Sequence, residues 1–182
     1  MKILGAITVL ALFLIQPMAA FAAGVEEPSG YRMDEYRAAV PDTLQGARVI
    51  SAEEAESLWK QKKAVFFDVM PQLPKPKDLP AGTIWRDKPR HNIPGSIWLA
   101  NVGYGALNAE AEAYFRDGLA ANTQGDASRS IVIYCMTNCW MSWNAAKRAV
   151  SWGYTGVMWF PAGADGWESG GLPLADAKPY AP

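Results

Sequence analysis

The chain is poor in the residues that most metal and hydrolytic sites need. It has one histidine, His91, and two cysteines, Cys135 and Cys139. C-x-x-C-H is absent, so there is no c-type haem attachment. Two cysteines and one histidine do not complete a zinc site without a carboxylate. A Cys–His hydrolase requires His91 to reach Cys135. Net charge is −1, with no basic stripe, which argues against a nucleic-acid partner. No internal repeat or low-complexity segment occurs. No lipobox cysteine follows the amino-terminal apolar run.

The 182 residues are enough for one domain with a sizeable core and too few for two comfortable ones. Half are apolar, so the chain is globular rather than disordered. Met1-Lys2 opens a basic segment, Ile3 to Ile15 is apolar, and Ala20-Phe21-Ala22 is an A-x-A site. This reads as a secretory signal peptide over 1–22, cleaved after Ala22. The expected location is the periplasm, with no stable membrane insertion after cleavage. Export favours bridged cysteines.

Segment 23–47 reads as an amino-terminal extension that wraps the domain through Tyr31 and Tyr36, with a short helix at Met33–Ala39. The domain proper is expected over 48–175, and 176–182 as a tail. Arg48-Val49-Ile50 is a short strand. Ser51 to Glu54 is a capping box starting a helix to about Lys62. Ala64 to Val69 is a buried strand with Asp68 at its C-terminal end, where open α/β sheets gather functional groups. As a bland alternative, Asp68 only holds a loop. Residues 70–90 form a long irregular loop and 91–96 a turn. Ile97 to Leu99 is a strand, and Asn108 starts a helix to about Ala121. Val157 to Phe160 is the last strand, followed by a short helix carrying Trp167 inward. Alternating strands and helices predict an α/β fold, a mostly parallel central sheet with helices on both faces.

Chemistry is concentrated in Cys135-Met136-Thr137-Asn138-Cys139-Trp140, between the apolar run Ile131–Tyr134 and a helical pattern ended by Gly153. A thiol at a strand-to-helix turn, near a helix N-terminus, is expected to be acidic and reactive. The competing expectation is that both thiols pack as small core hydrophobes or form a bridge that merely pins the loop. Cys135, Cys139, Met136 and Met141 are soft donors that suit Cu(I), although isolated methionines more often pack. Trp140, Trp143 and Trp85 either wall the site or pack on the sheet.

From about Val49 to Leu174 the chain resembles a rhodanese domain. The marks are Phe67-Asp68-Val69, His91-Asn92-Ile93-Pro94-Gly95-Ser96, Ile133-Tyr134-Cys135, Gly153-Tyr154, Gly163 to Trp167 and Gly171-Leu172-Pro173. Cys135-x-x-x-Cys139-Trp140 after a signal peptide resembles the exported CXXXCW-motif proteins associated with pyrroloquinoline-quinone (PQQ)-dependent alcohol catabolism. The resemblance puts Cys135 at the nucleophile position, with loop N–H groups pointing at its sulfur. It implies Asp68 and His91 as supporting residues, PQQ as a redox cofactor, and a periplasmic PQQ-dependent dehydrogenase or its electron-transfer chain as partner. The loop departs from a thiosulfate sulfurtransferase: it lacks glycine and positive charge, and Asn138 stands where glycine is common.

Three functions follow from these residues. Thiol redox with a Cys135–Cys139 disulfide, or an accessory role in cofactor or partner handling, is expected first, sulfur transfer through a Cys135 persulfide second, and Cu(I) binding third. Under each, Cys135 is expected to be the more acidic thiol.

Overall fold

The computed structural model describes residues 24–182, so the signal-peptide segment lies outside the described residues. The chain builds β1 (Arg48–Val49), α1 (Ala52–Lys60), β2 (Val65–Asp68), β3 (Arg90–Asn92) and β4 (Ile97–Trp98). There follow α2 (Ala109–Thr123), β5 (Ile131–Tyr134), α3 (Trp140–Ser151), β6 (Val157–Phe160), α4 (Gly163–Ser169) and β7 (Ala175–Ala177). Five strands form an all-parallel sheet in the order β1-β6-β5-β2-β4. Among the described residues no helix is long and apolar enough to cross a membrane.

The central strands are apolar at every position but Asp68, which ends β2, because both faces are covered. Phe67, Ile131, Ile133, Val157 and Trp159 face a core shared with α2 and α3. Phe66, Val132, Tyr134, Met158 and Phe160 face a second core with α1 and α4. Helices on both faces of a parallel sheet are the architecture expected from the alternation of elements. Each fully buried aromatic contributes about 1.5–3 kcal/mol.

Local signals act where they stand in the sequence. Ser51 accepts the Glu54 N–H at 3.3 Å and starts α1. Asn108 accepts the Ala111 N–H at 2.8 Å and starts α2. Gly153 takes a φ of 91° just past α3.

Three expectations are corrected. The extension has no helix at Met33–Ala39, and Glu35 has a φ of 40° there. Its backbone bonds to α3 instead: Asn144 binds both the N–H and the C=O of Arg32, and the Trp140 N–H donates to the Tyr36 carbonyl. Residues 91–96 are not all turn, since His91 and Asn92 belong to β3. The C-terminal residues are no loose tail: β7 pairs antiparallel with β3, and the Tyr180 N–H donates to the Trp98 carbonyl at 2.8 Å. These pairings join segments about 80 residues apart in sequence, which no local pattern encodes.

Candidate functional site

Strands β2 and β5 lie side by side with Asp68 opposite Tyr134. The next residues, Val69-Met70 and Cys135-Met136, therefore leave the sheet together at its C-terminal edge. The Asp68 carboxylate accepts the Met70 N–H, and the Trp98 indole donates to the Met70 carbonyl. Met70 is thus fixed on both sides, and its Sδ lies 3.5 Å from the Cys135 Sγ.

Asp68 is fully buried and paired with Arg90, Nε to Oδ2 at 2.7 Å and Nη2 to Oδ1 at 3.0 Å. Burial pushes the Asp68 carboxyl up, and Arg90 pulls it partly back. Arg90 also reaches the Cys135 carbonyl at 3.4 Å. Asp68 is therefore an anchor for the loop entrance, as in its bland alternative. Nothing in the sequence pattern named Arg90, because the long loop hides which of its cations returns to the strand.

The cysteine loop is an arch, not a helical turn. Asn138 has a φ of 53°, in the left-handed region where glycine is favoured and asparagine tolerated. The arch is pinned at Met136, which bridges Gly163, and at Thr137, whose N–H and hydroxyl both reach Asp165. A Cβ at Gly163 would meet Met136 backbone at 2.5 Å, so only glycine admits this approach.

Cys139 is the N-cap residue of α3. Both cysteines are buried and both are free thiols. The expected Cys135–Cys139 disulfide is not present, and the sulfurs are not at bonding distance. The arch holds Cys135 at the end of a strand and Cys139 at the start of a helix, rather than one helical turn apart.

The expected order of acidity is reversed. A hydrogen bond from Cys135, helped by the Met141 and Met136 amides and by Arg37, lowers the Cys139 thiol to about 6. The bond to Cys139 raises Cys135 well above its ordinary range, and burial and the Cys139 and Asp68 charges add to this. The expected ring of amides around Cys135 is not formed: the Thr137 N–H goes to Asp165 and the Trp140 N–H to Tyr36. The amides left for a thiolate point at Cys139.

His91 lies on the rim, half-exposed, with Nδ1 2.9 Å from Asp176; it makes no hydrogen bond to either cysteine. Trp140 and Trp143 are buried, and their indole N–H groups bond to the Ala39 and Thr43 carbonyls of the extension. They pack and do not wall the site. Trp85 does, together with Trp98.

A cleft of about 810 Å³ opens above this edge, the size of a small-molecule site. The 70–90 loop supplies Met70, Leu73, Trp85, Arg86 and Lys88, while Asp165 and Glu168 face it from α4. Met70 and Met136 line the cleft with Cys135 behind them. Among the described residues no group of three His, Cys, Asp or Glu side chains can hold a metal ion. In the soft-donor set, Met70 is the thioether on Cys135; Met141 is buried in the α3 core.

Fold and site together define an α/β domain with a buried thiol pair at the C-terminal edge of a parallel sheet. No family model and no curated protein matches the sequence. Solved structures are similar to it. A thiosulfate sulfurtransferase from Pseudomonas aeruginosa matches at 16% identity and a TM-score of 0.48, over 73% of this chain and 21% of that one. The present chain thus spans about a fifth of that protein. A polysulfide-sulfur transferase homodimer from Wolinella succinogenes matches at 19% and 0.45, over 72% and 80% of the two chains. A human single-domain sulfurtransferase matches at 24% and 0.41, over 68% and 96%.

Proposed function

We propose that the protein transfers sulfane sulfur, with Cys135 as the carrier and Cys139 as the group that holds its proton. The observation that carries this reading is the pair itself. One thiol lies behind Met70 at the cleft, and it is backed by a second free thiol that raises its pKa without being bonded to it.

The step balances without an outside oxidant. A donor in the cleft presents a sulfane sulfur attached to a leaving group. The Cys135 sulfur attacks it, and the Cys135 proton passes to the Cys139 thiolate. A sulfur–sulfur bond forms at Cys135 as the bond to the leaving group breaks, and the leaving group departs with that electron pair. An acceptor nucleophile then takes the outer sulfur, and Cys135 leaves as thiolate and recovers its proton. Met70 must swing aside for entry, which a side chain with three rotatable bonds allows.

Thiol redox falls behind sulfur transfer because both thiols are free and the arch between them is pinned at Met136 and Thr137. The absence of positive charge within the loop is offset by Arg86 and Lys88 on the cleft wall. A periplasmic role in PQQ-dependent alcohol oxidation, with a quinoprotein dehydrogenase as partner, is a further part of the proposal that rests on the CXXXCW resemblance alone.

Mass spectrometry after exposure of the reduced protein to a sulfane donor tests the reading. One added sulfur atom is expected on Cys135, and none in C135S. C139S should transfer more slowly, with its pH profile moved to higher pH. Added sulfur on Cys139, or a C139S rate equal to the parent at every pH, overturns the assignment.

A further inference from the structure

The charges of the cleft are sorted by element. Arg86 and Lys88 come from the long loop, and Asp165 and Glu168 from α4. Arg90 adds little, since Asp68 holds it bidentately, and His91 is tied to Asp176. Arg86, Lys88 and Glu168 form no ion pair among the described residues, and the Asp165 Oδ2 accepts no hydrogen bond there. Two uncompensated cations and two anions therefore line one cleft with the apolar Met70, Trp98 and Met136, and the cleft is roomy enough for a small organic molecule.

An inorganic dianion is a poor occupant of such a space. It gains from the cations, is repelled by the carboxylates, and leaves the apolar surface of Met70, Trp98 and Met136 unfilled. A ligand with a carboxylate, an ammonium and an apolar sulfur-bearing centre satisfies all three surfaces. We infer that the cleft binds zwitterionic, amino-acid-derived sulfur compounds, such as cysteine persulfides and polysulfides. The carboxylate faces Arg86 and Lys88, the ammonium faces Asp165 and Glu168, and the sulfur lies on Met70 above Cys135. This inference rests on the sulfur-transfer reading for the use of the ligand, but not for its binding.

L-lanthionine, a zwitterionic thioether with no transferable sulfur, separates the two. Calorimetric titration of the reduced full chain with lanthionine should show saturable binding. R86A and E168Q should each weaken it severalfold, while E168Q strengthens thiosulfate binding, because one repulsive charge is gone. Both residues are exposed, so circular dichroism should report unchanged folding. No lanthionine binding, or equal weakening of lanthionine and thiosulfate by E168Q, overturns the inference. Lanthionine binding without any sulfur transfer upholds the cleft and overturns the proposed function. Transfer from thiosulfate without lanthionine binding does the reverse.

Discussion

The Cys135 Sγ lies 3.5 Å from the Met70 Sδ, and this thioether stands between the buried thiol and the cleft. Met70 is placed by groups that are themselves fixed, the Asp68 carboxylate and the Trp98 indole. Access to Cys135 is therefore a side-chain movement against a rigid backbone. M70A should raise the alkylation rate of Cys135 severalfold, and M70L should leave it near the parent. Peptide mapping of timed alkylation checks this; equal rates in M70A and the parent would remove Met70 as the barrier.

The reduced protein should carry one thiolate per molecule at neutral pH, on Cys139. Absorbance near 240 nm should titrate with a midpoint at about 6. In C135A the midpoint should rise, because the strongest support of the thiolate, the Cys135 hydrogen bond, is lost. The Cys139 value is depressed in the folded state, so its contribution to stability is fully present above the unfolded thiol value. That contribution is lost as the pH falls through about 6. A midpoint that stays put in C135A would dissolve the pair.

Arg90 and Asp68 should behave as a unit. R90M strands a carboxylate that is fully buried, and breaking such a pair costs about 3–5 kcal/mol. The double variant D68N/R90M should recover a large part of that loss. Urea unfolding of the parent, D68N, R90M and the double variant gives the comparison, and additive losses in the double variant would refute the pairing.

Asn138 has a φ of 53°, a conformation that costs a β-branched residue about 1–2 kcal/mol. N138V should lose about that much stability in a denaturant titration and shift the thiolate absorbance, whereas N138G should keep both close to the parent. A silent N138V would mean that the arch is not held in this conformation.

G163A tests the other end of the arch. A Cβ there meets Met136 backbone at 2.5 Å, at a φ of +61°. The loss expected is about 1–3 kcal/mol. The Cys139 titration should move with it, because the Met136 amide is displaced. Unchanged stability and titration would show that the Met136–Gly163 bridge is dispensable.

The parallel sheet was legible because buried strands are written as unbroken apolar runs, Val65-Phe66-Phe67 and Ile131 to Tyr134 among them. Helix starts at Ser51 and Asn108 were legible because caps act within one turn. The rule that functional groups gather at the C-terminal ends of such strands drew attention to Asp68 at the end of β2. Carried two residues past Asp68, the same rule points to Met70. The extension was legible as a segment that wraps the domain, but its contact with Trp140 was not, nor were the roles of Arg90 and Asp165, since each reaches its partner across tens of residues through a loop or extension without periodicity.

Burial pattern, caps and the two cysteines at a strand-to-helix turn were determined by the sequence itself, because each is a matter of neighbouring residues. Which thiol is pushed up and which is pulled down was decided only by the tertiary structure. Acidity depends on where amides, charges and low-dielectric surroundings fall around each sulfur. The arch turns the free amides toward Cys139, the extension brings Arg37 to it, and β2 sets Asp68 and Met70 against Cys135.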